Sequence, residues 1–438
     1  MKKISFKVIS IIFIVAFVLG LCSCSILGLC LDSSYSTGEN SIFDKNEGLQ
    51  ISSIDINNNG DLIITYTNGS KQNLGCVVGK DGNVNVDIDG NSNDASFAVA
   101  KGLRSAVSVQ CTHNVYNKYG MLSTASAAGS GVIYKLDKES NSAFIVTNFH
   151  VVFDENSIND NGIADSIYVY LYGSEYGDMK IPATYVGGSN NYDIAVLRVD
   201  NCEYLNNNVF LEATLANSDE TYVGQSAIAV GNPDGAGISA SYGIISVYSE
   251  HITLNIGGTV SLRVMRIDTP VNSGNSGGGL YNEKGELIGI VNAKTGDESL
   301  ENIGYAIPSN IVKAVADNII DHCYGTELER VQRALLGITV SISDSKAYLT
   351  EDGHVKVKET VFITDVSKTG IAYGIHKVND VLVSAKLNNN EIKITKQHQI
   401  IDFLLNARVG DTLYVTVERD GELVELEIPI TKEAINEY

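Results

Sequence analysis

Between residues 96 and 318 the chain consists of short apolar runs cut by glycine and asparagine: "GSGVIYK", "AFIVTNF", "SIYVYLYG", "IPATYVGG", "DIAVLRV", "SAIAVGN", "GIISVYS" and "LIGIVNA". Runs this short, rich in Val, Ile and Tyr, read as strands. With few helical periods between them they imply an all-β barrel or sandwich. One helix stands out at 308–320, "PSNIVKAVADNII", with Ser309 placed to cap it and Ile311, Val312, Val315 and Ile319 forming its apolar stripe.

At 438 residues the chain exceeds one compact domain. Its first residues read as a targeting signal: Lys2, Lys3 and Lys7 precede the apolar "VISIIFIVAFVLGL". Leu21, Ser23 and Cys24 resemble a bacterial lipobox, which makes 1–23 a lipoprotein signal peptide and Cys24 the lipid acceptor. The alternative is an uncleaved anchor, because residues 8–31 carry no charge. Either way the bulk of the chain is expected outside the cytoplasm, in the cell envelope and tied to the membrane. Residues 24–47 read as a polar tether, 48–83 as a small β-meander with turns at Asn59-Gly60 and Asn68-Gly69, and 84–95 as a linker.

A net charge of −21 repels phosphate backbones and argues against a nucleic-acid partner. The seven cysteines are scattered and include no two Cys-x-x-Cys pairs, so neither a zinc site nor a disulfide scaffold is implied. The Asx-rich strings "DIDGNSND" and "NDNGIADS" lack the spacing of a calcium loop and read as solvated turns.

From 328 to 432 a second domain is expected. "TLYVTVERDGELVELEIPI" is a hairpin about Asp420-Gly421, with Leu413, Val415 and Val417 facing Val424, Leu426 and Ile428. Residues 395–411 read as a helix that begins near Thr395, stops before Gly410 and buries Ile400, Ile401, Leu404 and Leu405.

Three segments carry chemistry. "FIVTNFHVV" delivers His150 at the end of an apolar strand, "NNYDIAVLRVD" opens another at Asp193, and "VNSGNSGGGLYNEKGELIGI" surrounds Ser276 with glycine. A serine nucleophile needs a base whose pKa suits neutral pH, and the imidazole needs a carboxylate to fix its tautomer. The order His, Asp, Ser is that of two-barrel chymotrypsin-like proteases. The remaining histidines, His113, His251, His322, His354, His376 and His398, show no such setting and read as surface residues.

With "GSGVIY", "IVTNFHVV", "YDIAVLRVD", "AVGNP", "GIIS", "NSGNSGGGLYNEKGELIGI" and "IGYAIPSN" in order, the chain resembles the HtrA/DegP (Do-like) family of trypsin-like serine proteases. The resemblance implies a mostly β fold: a two-barrel trypsin-like serine protease domain at 96–320, then a PDZ-like domain at 328–432. It implies Ser276 as nucleophile, His150 as general base and later acid, and Asp193 as the residue that orients it. The N–H groups of Gly274 and Ser276 would form the oxyanion hole. Thr269, Val271, Ile290 and Val291 would wall a specificity pocket for small aliphatic side chains. Leu335, Leu336, Gly337 and Ile338 match the PDZ carboxylate loop, which takes carboxyl-terminal peptides by strand addition. Unfolded or misfolded polypeptides would be the substrates and a homotrimer the assembly, with no cofactor or metal. Ser273 and Gly279 stand where the family has proline, so the nucleophile loop is expected to be loose and its oxyanion hole to need ordering. The competing class is a catalytically dormant peptide-binding chaperone or regulator on the same fold.

Overall fold

The computed structural model describes residues 51–56, 61–76, 95–174, 179–292 and 303–437. The signal segment with Cys24, the tether and the linker up to residue 94 lie outside the described residues. The chain divides into two compact units, residues 1–91 and 92–438.

The first unit holds β1 (Ile51–Ile56), β2 (Asp61–Tyr66) and β3 (Lys71–Cys76) in one antiparallel sheet, as the alternating pattern requires. At the second turn Gly69 has φ +82°, and Asn68 Oδ1 accepts from the Ser70 N–H at 2.9 Å.

The second unit opens with α1 (Ala95–Ser105), a helix not anticipated from sequence. Gly102 in its interior lowers helix propensity. It is needed there because a Cβ would lie 2.8 Å from Val230 and 3.1 Å from the Tyr281 ring. Next come β4 (Ala106–Tyr116), β5 (Leu122–Asp137), β6 (Ser142–Thr147), the short helix α2 (Phe149–Val152), β7 (Ser166–Leu171), β8 (Ile181–Ser189) and β9 (Ile194–Val199). These six strands close a barrel in the order β4-β5-β6-β9-β8-β7. A second barrel follows from β10 (Ser226–Gly231), β11 (Ser239–Asn255), β12 (Thr259–Ile267), β13 (Gly279–Tyr281), β14 (Leu287–Asn292) and β15 (Gly304–Pro308). Its order, β10-β11-β12-β15-β14-β13, repeats the winding of the first.

Val107, Val109, Ile133, Val169 and Leu197 fill barrel one, and Ile245, Met265, Ile267 and Leu280 fill barrel two, all fully buried. Each such side chain contributes about 1.5–3 kcal/mol relative to exposure. A larger cluster joins both barrels to α3 (Ser309–Cys323), whose stripe of Ile311, Val312, Val315 and Ile319 is buried as expected. The cap differs. Pro308 holds the N-cap position, and the Ser309 hydroxyl donates instead to the Ala216 carbonyl at 2.7 Å.

The carboxyl-terminal part contains β16 (Gln332–Ala334), β17 (Ile338–Leu349), β18 (Val355–Val366), β19 (Val381–Leu387), β20 (Asn390–Lys393), α4 (Gln397–Phe403), β21 (Thr412–Arg419), β22 (Glu422–Pro429) and β23 (Ile435–Glu437). Its main sheet runs β17-β18-β19-β21-β22, so β17 lies at one edge. The expected hairpin has the expected register, Leu413 opposite Ile428, Val415 opposite Leu426 and Val417 opposite Val424. The helix is shorter than expected. It is followed by a 3₁₀ turn at Leu404–Asn406, and Ile401 is 43% exposed rather than buried.

Candidate active site

The site lies where the two barrels meet. Strand β6 ends at Thr147, and α2 carries His150 one turn into the seam. Asp193 sits in the turn from β8 to β9 with φ +49°, a left-handed conformation that costs an L-residue about 1–2 kcal/mol. Its carboxylate is fully buried and is held by three donors. His150 Nδ1 lies 2.7 Å from Oδ2, the His150 N–H donates to Oδ1 at 3.0 Å, and Asn292 Nδ2 donates to Oδ2 at 2.7 Å. Asn148 Nδ2 fixes the backbone beneath it by donating to the Asp193 carbonyl at 2.8 Å. A buried carboxylate is tolerated when charge-assisted bonds replace its water. With Nδ1–H committed to Asp193, Nε2 of His150 is left as the proton acceptor.

The Ser276 loop is pressed against this pair. A Cβ on Gly129 of β5 would lie 2.7 Å from the Val151 side chain, next to His150, and 3.1 Å from the Ser276 carbonyl. Gly274 has φ +92° and Gly277 φ +86°. A Cβ at Gly274 would meet the Asn232 carbonyl at 2.3 Å, and one at Gly277 the Ser130 carbonyl at 2.1 Å. Only glycine permits both the backbone angle and the approach.

The loop is also tied down rather than loose. The carbonyls of Ser273, Gly274, Asn275 and Ser276 accept from the Asp234 N–H (2.7 Å), Ser130 Oγ (2.7 Å), the Gly278 N–H (2.9 Å) and the Ser130 N–H (2.8 Å). The looseness anticipated from Ser273 and Gly279 is therefore offset by contacts from outside the loop.

The four residues suggested for the specificity pocket do not share one lining. Ile290 and Val291 are fully buried in two different core clusters, and Thr269 is buried with its hydroxyl donating to the Ala227 carbonyl at 3.0 Å. Val271 alone is half-buried.

Leu335, Leu336, Gly337 and Ile338 do lie together, along a groove of about 430 Å³ shared with Gln397, Ile400, Ile401 and Leu404 of the α4 segment. Gly337 has φ +76°, and a Cβ there would meet Gly370 Cα at 2.5 Å. The Leu335 N–H is used internally, donating to the Ala434 carbonyl at 2.8 Å.

Four polar residues of the seam were not singled out by sequence reasoning: Asn148, Asn292, Ser130 and Asn232. Each ends or interrupts an apolar run within a string already quoted, and each is at most 2% exposed. A polar residue in an otherwise buried run is the signal that could have found them. The histidines were misread in part. His113 and His376 are 1% and 3% exposed, buried rather than on the surface.

The trypsin-like peptidase domain model matches residues 129–290. The serine protease Do-like HtrA of Lactococcus lactis subsp. cremoris (strain MG1363) is 31% identical over 325 residues, covering 70% of this chain and 71% of that protein. The periplasmic pH-dependent serine endoprotease DegQ of Escherichia coli (strain K12) is 30% identical over 305 residues, covering 69% of this chain and 59% of that one. Among solved structures, the HtrA-type protease AlgW with decapeptide shares 24% identity at a TM-score of 0.47, covering 79% of this chain and 99% of that one.

Proposed function

The chain belongs to the HtrA family of Do-like serine proteases, and from that premise we propose that it is an extracytoplasmic serine endopeptidase whose acyl-enzyme forms on Ser276. The observation that carries the reading is the His150–Asp193 contact of 2.7 Å beside the glycine-lined Ser276 loop.

In this reading Nε2 of His150 takes the proton of the Ser276 hydroxyl as Oγ bonds to the scissile carbonyl carbon. The carbonyl π-electrons move to oxygen, and the N–H groups of Gly274 and Ser276 receive that oxyanion. Collapse of the tetrahedral intermediate breaks the C–N bond. The imidazolium gives its proton to the departing amine, and an ester to Ser276 remains. Water, deprotonated by the same nitrogen, then attacks the ester and frees the new carboxyl end while the proton returns to Oγ. Asp193 stabilises the imidazolium, and Asn292 holds the Asp193 carboxyl group in place.

The substrates proposed are misfolded or damaged envelope polypeptides, supported by the periplasmic and Do-like protease names of the relatives. The carboxyl-terminal part is read as a PDZ-like module. A peptide's free carboxyl end would bind the N–H groups of Leu336, Gly337 and Ile338, with its backbone added to the free edge of β17. That edge is already engaged at one point, where Gln397 Nε2 donates to the Val340 carbonyl at 2.8 Å. Incoming peptide backbone would have to displace it.

A fluorophosphonate probe tests the central claim. Wild type should be labelled and Ser276→Ala should not, and casein should be digested by the first alone. An unlabelled wild type that still binds carboxyl-terminal peptides would favour the dormant binder.

A further inference from the structure

Ser130 belongs to the string Gly129-Ser130-Gly131 of β5, which the chemistry above leaves without a task. It is 1% exposed and sits on the barrel seam. Its hydroxyl donates to the Gly274 carbonyl at 2.7 Å and accepts from the Asn232 N–H at 2.8 Å. Its own N–H donates to the Ser276 carbonyl at 2.8 Å, and its carbonyl accepts from Thr147 Oγ1 at 2.7 Å.

A trans peptide points its C=O and N–H in opposite directions, so fixing a carbonyl aims the N–H of the next residue. The plane anchored through the Ser273 carbonyl carries the Gly274 N–H, and the plane anchored through the Asn275 carbonyl carries the Ser276 N–H. These are the two oxyanion donors. The alternate planes, whose carbonyls belong to Gly274 and Ser276, are both anchored by Ser130. Ser130 also grips Asn232, the start of the turn whose Asp234 N–H anchors the first plane at 2.7 Å. One residue of barrel one thus restrains the nucleophile loop and the neighbouring turn, both from barrel two.

We propose that Ser130 is a positioning residue for the oxyanion hole. It touches neither substrate nor the reacting atoms. It holds the alternate peptide planes of the nucleophile loop, and the Asn232–Asp234 turn, so that the Gly274 and Ser276 N–H groups converge where negative charge develops. Preorganised donors act on the transition state more than on bound substrate, so the effect belongs in kcat and not in KM. This inference rests on the assignment of Ser276 as nucleophile.

The test uses the full chain and a fluorogenic peptide, with a peptide aldehyde as probe because its hemiacetal oxygen occupies the same hole. Removal of one direct donor costs about 10²- to 10³-fold, so Ser130→Ala, acting one step away, should lower kcat about 10- to 100-fold. KM should stay within about twofold while the aldehyde Ki rises in step with the loss of kcat. The acid limb of the kcat/KM profile should not move. Ser130→Cys, which keeps a weaker donor, should recover part of the rate.

A Ser130→Ala enzyme with unchanged kcat, or one that loses rate without losing aldehyde affinity, overturns the proposal. If that variant does not fold, Ser108→Ala carries the test, because Asn232 Nδ2 donates to Ser108 Oγ at 2.6 Å. The same kcat and aldehyde pattern is expected at about three- to tenfold, and its absence overturns the proposal equally. A wild type inert to fluorophosphonate removes the protease reading and this inference together. An active wild type beside an unaltered Ser130→Ala removes the inference alone.

Discussion

Two of the histidine–aspartate pairs among the described residues, His150–Asp193 and His376–Asp380, are built to opposite ends. In the barrel seam Asp193 accepts from the His150 ring, the His150 N–H and the Asn292 amide. In the carboxyl-terminal part His376 Nδ1 lies 3.4 Å from Asp380 Oδ2, but that carboxylate serves a guanidinium first. Arg419 donates Nε to Oδ1 and Nη2 to Oδ2, each at 2.7 Å, and the Lys377 N–H adds a bond of 2.8 Å. Burial pushes the Asp380 carboxyl up, and the Arg419 and Lys377 bonds outweigh it and hold the group below the usual carboxylate range. The His376 side chain is 0% exposed and the His150 side chain 12%. Among the described residues His376 Nε2 has no partner. A carboxylate beside an imidazole becomes catalytic only when its charge is kept for the imidazole and the far nitrogen can reach a reacting group. The first pair meets the first condition, and under the proposed function its far nitrogen would serve Ser276; the second pair meets neither.

The same substitution in each pair gives the largest contrast. Asp193→Asn should lower kcat about 10⁴-fold, because the imidazole loses the partner that fixes its tautomer. Asp380→Asn should leave turnover of a fluorogenic peptide within about twofold. Similar losses in both would break the distinction. Next comes Asp380→Ala, which strands the Arg419 guanidinium with its side chain 18% exposed. It should cost about 3 kcal/mol in urea unfolding and leave the labelling rate of Ser276 unchanged. Asn292→Ala should come third. Losing a hydrogen bond to a charged group should lower kcat/KM about 10- to 100-fold. The acid limb of the profile should also move to higher pH, since a carboxylate with one donor fewer holds the imidazolium more tightly. An unshifted acid limb would show that Asn292 does not act through Asp193.

What was legible in the sequence follows the same division. The three positions proposed for catalysis, His150, Asp193 and Ser276, stand at strand ends and in a glycine run, where local pattern and chemistry coincide. The barrels were readable because strand-length apolar runs have few other uses. That they form two barrels followed from the family strings, but the order in which their strands pair did not, since pairing between distant strands leaves no local mark. The helix at Ala95–Ser105 was missed because its Gly102 answers to Val230 and Tyr281, far along the chain. Asn292 and Ser130 escaped for the same reason, since their partners, Asp193 and Gly274, are remote in sequence. His113 extends the alternating row Val107, Val109, Cys111 of β4, so its burial was legible in the local pattern, whereas His376 lies in no such row. Ile401 was assigned to the core by helical spacing, yet it lines the groove beside Leu335–Ile338.

The smallest expected effect concerns pH, and it separates the two pairs once more. Burial lowers the His376 pKa below its usual value, with Asp380 offsetting only part of the shift. Burial also lowers His113, against the pull of Asp154 and Asp165. A base whose folded pKa is depressed binds fewer protons in the folded chain than in the unfolded one. The stability these groups contribute is complete above the unfolded value of about 6.5 and declines as pH falls below it toward the folded value. The lowered Asp380 pKa acts in a separate window, since its contribution is lost only as pH falls through the carboxylate range. Urea midpoints of the wild type should therefore drop between about pH 7 and 5, and His376→Gln should flatten part of that slope. The acid limb of turnover should be the same in both proteins. If His376→Gln moves that limb, the two pairs are coupled, and the carboxyl-terminal histidine would then act on the catalytic seam rather than on the stability of its own sheet.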